Sequence, residues 1–136
     1  MTKPFPIVAT YMSTQPHSVG SNQPMSVAHK IMREHRIRHL PVLTGGKLLG
    51  LLSDRDLNLI EALRDVDPDK VLVEEAMTSD PYTVSPETPL DSVVGTMAEH
   101  KYGCAVVMQN AKLVGIFTTV DACRAFAEVL HERAAK

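Results

Sequence analysis

The chain carries the same pattern twice, and this repetition constrains its fold more than any other feature. Shifting the sequence by 65 positions, the separation of Met12 and Met77, superposes the two halves without a gap. Identities at Pro, Gly and Asp are the most informative, because these residues fix backbone angles, helix starts and polar contacts. We therefore predict a tandem duplication of one backbone. The identical positions include Val8, Met12, Pro16, Val19, Pro24, Met32, Glu34, His35, Val42, Lys47, Leu48, Gly50 and Asp56, which match Val73, Met77, Pro81, Val84, Pro89, Met97, Glu99, His100, Val107, Lys112, Leu113, Gly115 and Asp121.

Each half alone would be a marginal domain. With 136 residues, of which 44% are hydrophobic, the chain can bury one substantial core, whereas a single half would expose too much surface for its volume. We therefore expect the two halves to pack on each other. The first repeat is assigned to residues 1–66, and the second, with a C-terminal helix, to residues 67–136. The polar stretch 65–70 between them is expected to be an exposed connector.

The pattern within each repeat predicts a strand, a helix, two strands and a second helix. Apolar residues recur at helical spacing after Pro24 and after Pro89, and each proline is expected at the first helical position. Two short apolar runs separated by a turn then predict a hairpin that leads directly into another helix. Gly103 is expected to cap the Pro89 helix in a left-handed conformation. The hairpin runs are 39–43 with 48–52 and 104–108 with 113–117, the helices that follow are 54–63 and about 119–133, and the leading strands are 17–19 and 82–84.

Composition excludes several classes of partner. The formal net charge is -2 and no Lys/Arg run is present, so we predict no nucleic-acid partner. No apolar run approaches membrane length and the N-terminal stretch is too short for a signal peptide, so we predict no membrane partner. Cys104 and Cys123 lack metal-ligand spacing, which favours reduced thiols and a cytoplasmic location. His35 and His39 have the four-residue spacing of paired metal ligands, but without a third ligand we predict no metal site.

The junction between each hairpin and the helix after it carries the candidate chemistry. Ser53 precedes Asp56 by three residues, and Thr118 precedes Asp121 by three. A helix start presents free backbone N–H groups and the positive end of the helix dipole, which suit an anion such as phosphate. The acid can accept hydrogen bonds from both hydroxyls of a ribose, and Arg55 can contact phosphate oxygens. Together these groups suit a nucleotide.

The same spacing also has a purely structural interpretation. A hydroxyl residue followed three positions later by an acid is the pattern of a helix capping box, which typically contributes about 1 kcal/mol to stability. The two interpretations are compatible, since a capping residue can also contact a ligand.

Several motifs, found together and twice, resemble a tandem pair of CBS domains, also called a Bateman module. They are Tyr11-Met12-Ser13 and Ala76-Met77-Thr78 at the repeat starts, residues 38–42 in the first hairpin, and residues 50–56 at its end. The resemblance covers nearly the whole chain. It implies an α/β (α+β) fold in which two βαββα repeats pack in pseudo-twofold symmetry. It also implies clefts between the repeats that bind adenine nucleotides or related ligands.

The resemblance also assigns ligand-binding positions to both repeats. The family's hydroxyl and ribose-binding acid fall on the two junctions described above. The family commonly lines each cleft with the first strand of the opposite repeat, so Asp56 would share a site with Thr83, and Asp121 with Ser18. The positions carried over are Ser18, Val19, His39, Leu40, Pro41, Ser53, Asp54, Arg55 and Asp56, with Thr83, Val84, Cys104, Ala105, Val106, Thr118, Thr119 and Asp121.

The two junctions differ in their phosphate-binding groups. The second repeat has Val120 where the first has Arg55, and Ala105-Val106 where the first has Leu40-Pro41. Because the second junction lacks the arginine, we expect the first junction to be the better anion site.

From these features we predict a regulatory module that senses an adenosine-containing ligand, such as AMP, ADP, ATP or S-adenosylmethionine, and signals to an unknown protein partner. No nucleophile or acid-base set is present, so we predict that it is not an enzyme. It would require no cofactor, the adenine nucleotide being a regulatory ligand. The alternative is a ligand-free structural or protein-interaction module. The apolar faces of the short helices, including residues 122–130, exceed what one small core can bury, which predicts a homodimer.

Overall fold

A computed structural model describes residues 5–63 and 65–135. Within this part of the chain, helices and short strands alternate as predicted, with additional short elements before each long helix. The helices are α1 (Val8–Tyr11), α2 (Met25–His35), α3 (Asp54–Glu61), α4 (Val73–Ala76), α5 (Leu90–His100) and α6 (Thr119–Ala134). The strands are β1 (Ser13–Thr14), β2 (Val19–Gly20), β3 (His39–Thr44), β4 (Lys47–Ser53), β5 (Thr78–Ser79), β6 (Thr83–Val84), β7 (Cys104–Gln109) and β8 (Lys112–Thr118).

The backbone repeats with the same 65-residue offset as the sequence. Each helix of the first half has a counterpart that begins 65 positions later, and so do β1, β3 and β4. Positive φ angles recur at this offset too: 54° at Arg36 and 60° at Lys101 end the equivalent helices α2 and α5. The predicted duplication of one backbone, and with it the α/β class with two βαββα repeats, is therefore confirmed.

The chain divides into two compact units, which do not coincide with the sequence repeats. The central unit comprises residues 16–81. The terminal unit joins the segment that ends at Gln15 with the chain from Tyr82 onward. Each unit thus receives a short helix and a two-residue strand from the segment that opens the other repeat. The division into repeats 1–66 and 67–136 stays a prediction about the sequence.

The central unit is a four-stranded sheet in the order β2-β3-β4-β5, covered by helices. β3 and β4 form the predicted hairpin, with β2 parallel to β3 and β5 antiparallel to β4. The pieces at residues 71–73 lie beside the start of α2, where the Met25 amide donates to the Val71 carbonyl at 2.8 Å. The core of this unit is fully apolar: Val19, Met25, Ala28, Met32, Leu40, Val42, Leu52, Leu57 and Val73.

The terminal unit has the same architecture, with the strand order β1-β8-β7-β6. Here the N-terminal segment takes the place of residues 71–73. The amide of Leu90 donates to the carbonyl of Pro6 at 2.9 Å, and the amide of Val8 donates to the carbonyl of Thr88 at 2.9 Å. The core consists of Val8, Leu90, Val93, Met97, Ala105, Val107, Phe117 and Ala125.

Three details differ from the sequence predictions. Pro24 and Pro89 are N-caps with extended ψ angles, so each helix starts one residue later than predicted. Gly103 is not the left-handed cap of α5, because the helix already turns left-handed at Lys101, where the Tyr102 amide bonds back to the Met97 carbonyl. The elements α1, β1, α4 and β5 were not predicted, because segments of two to four residues are too short to show a hydrophobic period.

None of the helices in the described ranges, 5–63 and 65–135, is both long enough and apolar enough to cross a membrane.

Candidate functional site

The candidate site of the central unit lies where β4 runs into α3. Ser53 is the N-cap of α3, and its hydroxyl accepts a hydrogen bond from the Asp56 amide at 3.1 Å. In return, Oδ2 of Asp56 accepts from the Ser53 amide at 3.0 Å. The structural interpretation of this motif, a capping box, is therefore confirmed. Among the residues that the structure describes, Oδ1 of Asp56 has no hydrogen-bond partner.

The equivalent junction of the terminal unit is also a capping box, but its carboxylate is fully engaged. Oδ2 of Asp121 accepts from the Thr118 amide at 2.9 Å and from the Thr118 hydroxyl at 3.2 Å. Oδ1 accepts from Nη1 of Arg124 at 3.1 Å. The Asp121 side chain is 6% exposed, whereas that of Arg124 is 66% exposed. The acid is therefore buried under its own helix and its ion pair.

The strand register brings the other predicted positions to the same edge of each sheet. His39 lies opposite Ser53 in the hairpin, and Cys104 lies opposite Thr118. β2 runs parallel to β3, but its first residue, Val19, pairs only with Val42. The start of β3 therefore projects beyond β2.

In the terminal unit Thr83 pairs with Val106, and the Val106 amide donates to the Tyr82 carbonyl at 2.9 Å. β2 and β6, the leading strands of the two repeats, thus each pair with the first hairpin strand of their own unit. The predicted sharing of Asp56 with Thr83, and of Asp121 with Ser18, joins residues of different compact units and stays a prediction.

Burial separates the predicted positions into two groups. Val19, Leu40 and Ala105 belong to the apolar cores, so their side chains are turned away from solvent and only their backbone could contact a ligand. Pro41, Cys104, Val106 and Asp121 are also buried, outside those cores. The remaining positions are partly or fully exposed and could contact a ligand through their side chains. They are Ser18, His39, Ser53, Asp54, Arg55 and Asp56, with Thr83, Val84, Thr118 and Thr119.

The two units place different ionisable groups beside their junctions. Burial lowers the pKa of His39 below its usual value, and the neighbouring Arg38 lowers it further, while the carboxylates of Asp54 and Asp56 act in the opposite direction. His39 is therefore a neutral imidazole near Asp56 at neutral pH. At the equivalent position, burial raises the pKa of the Cys104 thiol to about 12.

The ion pair between Asp121 and Arg124 bears on the site and was not predicted from the sequence. Arg124 follows Asp121 by three positions, and its repeat equivalent is Leu59, which is 61% exposed. The signal was available, since residues three apart on a helix are neighbours and an acid followed by an arginine at this spacing forms an ion pair. The arginine of the first junction, Arg55, precedes its acid by one residue, whereas Arg124 follows its acid by three, so the two arginines are not at equivalent positions.

A family model described as "CBS domain" matches this chain twice, over residues 8–60 and 73–128. Among curated relatives, inosine-5'-monophosphate dehydrogenase of Korarchaeum cryptofilum is 34% identical over 105 residues, which are 76% of this chain and 21% of that protein. L-aspartate semialdehyde sulfurtransferase of Methanocaldococcus jannaschii is 33% identical over 93% of this chain and 24% of that protein. The chain thus spans about a quarter or less of the length of these two enzymes.

Other relatives match over most of their length. The CBS domain-containing protein YhcV of Bacillus subtilis is 30% identical over 81% of this chain and 78% of its own. Among solved structures, the CBS domain pair of protein MJ0100, in complex with 5'-methylthioadenosine and S-adenosyl-L-methionine, superposes with a TM-score of 0.83. It is 30% identical and covers 92% of this chain and 98% of that one.

Proposed function

This chain belongs to the CBS domain family, and we propose that it is a regulatory module that binds an adenosine-containing ligand, such as AMP, ADP, ATP or S-adenosylmethionine, and signals its occupancy to a protein partner. The observation that carries the proposal is the helix start at Ser53 and Asp56, where one oxygen of the carboxylate has no hydrogen-bond partner among the described residues. The MJ0100 domain pair, which is in complex with two adenosine derivatives, supports the same class of ligand.

The chemistry of this helix start matches the parts of such a ligand. A ribose offers two hydroxyl donors, and Oδ1 of Asp56 can accept them while Oδ2 continues to cap the helix. Arg55 is exposed beside the N-terminus of α3, where a phosphate or carboxylate would be favoured by the helix dipole. His39, uncharged at neutral pH, can take part in polar contacts without repelling a cationic group of the ligand.

We propose binding rather than catalysis for this module. Both acids of the junctions serve as capping groups, which fixes their position but commits part of their hydrogen-bonding capacity. The one cysteine beside a junction, Cys104, has a pKa of about 12 and so carries almost no thiolate at neutral pH. Both cysteines are free thiols, in keeping with a reducing, cytoplasmic setting.

We also propose that the module is a homodimer formed through the helices. α6 exposes Val120, Phe126, Val129 and Leu130, which are 63%, 63%, 42% and 51% exposed. On α3, Leu59 is 61% exposed. Such apolar faces favour association with a second copy. Light scattering should give a dimer mass for the parent chain and a monomer mass for Phe126→Glu, with the exposed Glu128→Ala as control.

The ligand proposal is tested by titration calorimetry with AMP, ADP, ATP and S-adenosylmethionine on protein freed of bound nucleotide by unfolding and refolding. Asp56→Asn preserves a capping oxygen but replaces the free acceptor with a donor, so we expect at least tenfold weaker binding with little change in melting temperature. Asp69→Asn, an exposed aspartate away from the junction, is the control with the same change of charge.

Binding to the folded state must also raise the melting temperature with ligand concentration. Absence of any shift with all four ligands would favour the alternative, a ligand-free interaction module.

A further inference from the structure

The carboxylate that the second repeat would offer to a ligand is already occupied from within the protein. Within residues 5–63 and 65–135, the hydrogen bonds to the Asp121 side chain come from Thr118 and Arg124, and they engage both of its oxygens. The contact from Arg124 to Oδ1 is charge-assisted, at 3.1 Å, and joins residues three apart on α6. A ribose hydroxyl that approached Oδ1 would have to compete with this guanidinium for an acid whose side chain is only 6% exposed.

The first repeat lacks this internal occupant. The position equivalent to Arg124 is Leu59, whose side chain has no hydrogen-bond donor and is largely exposed. Accordingly, Oδ1 of Asp56 has no hydrogen-bond partner within the described chain. The two junctions share their backbone and their reciprocal capping bonds, and in the second the Thr118 hydroxyl also donates to Oδ2. On Oδ1, the oxygen that does not cap the helix, the residue three positions after the acid makes the difference.

We propose that Arg124 closes the junction of the second repeat to ribose hydroxyls, so that each chain binds one adenosine-containing ligand, at Ser53 and Asp56. The inference rests on the proposed function and specifies which site it uses. The physical reason is that a hydrogen bond from a charged guanidinium to a carboxylate is stronger than one from a neutral hydroxyl. The pair is also local on one helix, so its formation requires no rearrangement elsewhere.

Exchanging the two residues should exchange the behaviour of the two junctions. Arg124→Leu gives the second repeat the residue of the first, and Leu59→Arg does the reverse. Both side chains are more than half exposed, so neither substitution disturbs a core. Because Leu59 also belongs to the proposed dimer face, light scattering must show that Leu59→Arg keeps the mass of the parent. Arg133→Leu, an exposed arginine on the same helix, is the control with the same change of charge and class.

The experiment is titration calorimetry with AMP and with S-adenosylmethionine, and the stoichiometry per chain is its readout. We expect one site in the parent chain, a second site in Arg124→Leu that Asp121→Asn removes, and at least tenfold weaker binding in Leu59→Arg. Arg133→Leu should retain one site. Arg124→Gln provides a second test, since it removes the charge while keeping a polar side chain of similar length.

The outcomes separate this inference from the proposed function. Two sites in the parent chain would overturn the inference while leaving the proposed function intact. Weaker binding in Arg124→Leu, with no new site, would mean that the arginine contacts the ligand, and this would also overturn it. No binding of either probe, nor of ADP or ATP, to the parent and to Arg124→Leu would overturn the proposed function itself.

Discussion

The two hairpin-to-helix junctions have the same backbone and different side chains. Both hold a reciprocal capping box at a helix start. Around these caps, four equivalent positions carry different residues. The first repeat has His39, Pro41, Arg55 and Leu59, and the second has Cys104, Val106, Val120 and Arg124, respectively. The capping residues thus occur in both copies, whereas the neighbouring groups that could contact a ligand differ between them. Whether a junction can bind a ligand therefore has to be argued from the side chains of that copy.

The largest expected effect is a difference in reactivity between the two thiols. Cys104 occupies the position in the second repeat that His39 occupies in the first. With a pKa of about 12, Cys104 carries roughly one thiolate in ten thousand molecules at pH 8. We expect a thiol reagent to modify the exposed Cys123 in the native protein at least a hundredfold faster than the buried Cys104. Mass spectrometry after timed alkylation measures this ratio. Equal rates would show that the start of β7 opens readily, and Cys123→Ser isolates the slow thiol.

Gly50 and Gly115 lie at equivalent positions in β4 and β8, where an added side chain would disturb the backbone of the sheet. A Cβ on Gly50 would lie 2.6 Å from the Thr78 carbonyl oxygen, whereas a Cβ on Gly115 would lie 3.0 Å from that of Ser13. We expect Gly50→Ala to lower the free energy of unfolding by about 1–3 kcal/mol, and Gly115→Ala by less.

Chemical denaturation measures both glycine variants. Gly95→Ala in α5 is the control, because nothing lies within 4 Å of its added Cβ and alanine favours a helix. It should raise stability by up to about 1 kcal/mol. A neutral result for Gly50→Ala would mean that β5 can move away from β4.

The hairpin turns give a smaller contrast between the repeats. Gly46 has φ 80° and its equivalent, Ala111, has φ 63°, an angle that an L-residue with a Cβ adopts at a cost of about 1 kcal/mol. Ala111→Gly should therefore stabilise the protein by up to about 1 kcal/mol, and Gly46→Ala should destabilise it by a similar amount. Thermal unfolding compares the two. Changes of the same sign in both variants would contradict this account.

The smallest expected effect is a dependence of stability on pH that arises from His39, a residue found beside the first junction only. Because the folded protein lowers the pKa of His39, the unfolded chain binds more protons as the pH falls below about 6.5. Stability should therefore decrease on acidification from pH 7 to pH 5.5. His39→Gln should reduce the slope in urea denaturation, whereas substitution of the exposed His131 should not. An unchanged slope would assign the effect to other groups.

Much of the fold could be predicted because its signals are local. Neighbouring residues in the sequence predict the hairpins, the long helices, and the capping pairs Ser53–Asp56 and Thr118–Asp121. The structure contains all of them. The short elements α1, β1, α4 and β5 carry no such signal. Met12 and Met77 were identified in the sequence only as repeat positions. In the structure the side chain of Met12 lies beside Gly115 and that of Met77 lies beside Gly50, and both contacts join distant parts of the chain.

The sequence alone determined that one backbone occurs twice, that each hairpin leads directly into a helix, and which hydroxyl and acid pair caps that helix, since all of these depend on spacing along the chain. Only the tertiary structure decided which segment completes which sheet, because a two-residue strand is selected by the edge it pairs with rather than by its own residues. It also decided that, within the described residues, Oδ1 of Asp121 has a hydrogen-bond partner while Oδ1 of Asp56 has none, because this depends on which groups reach each atom in three dimensions.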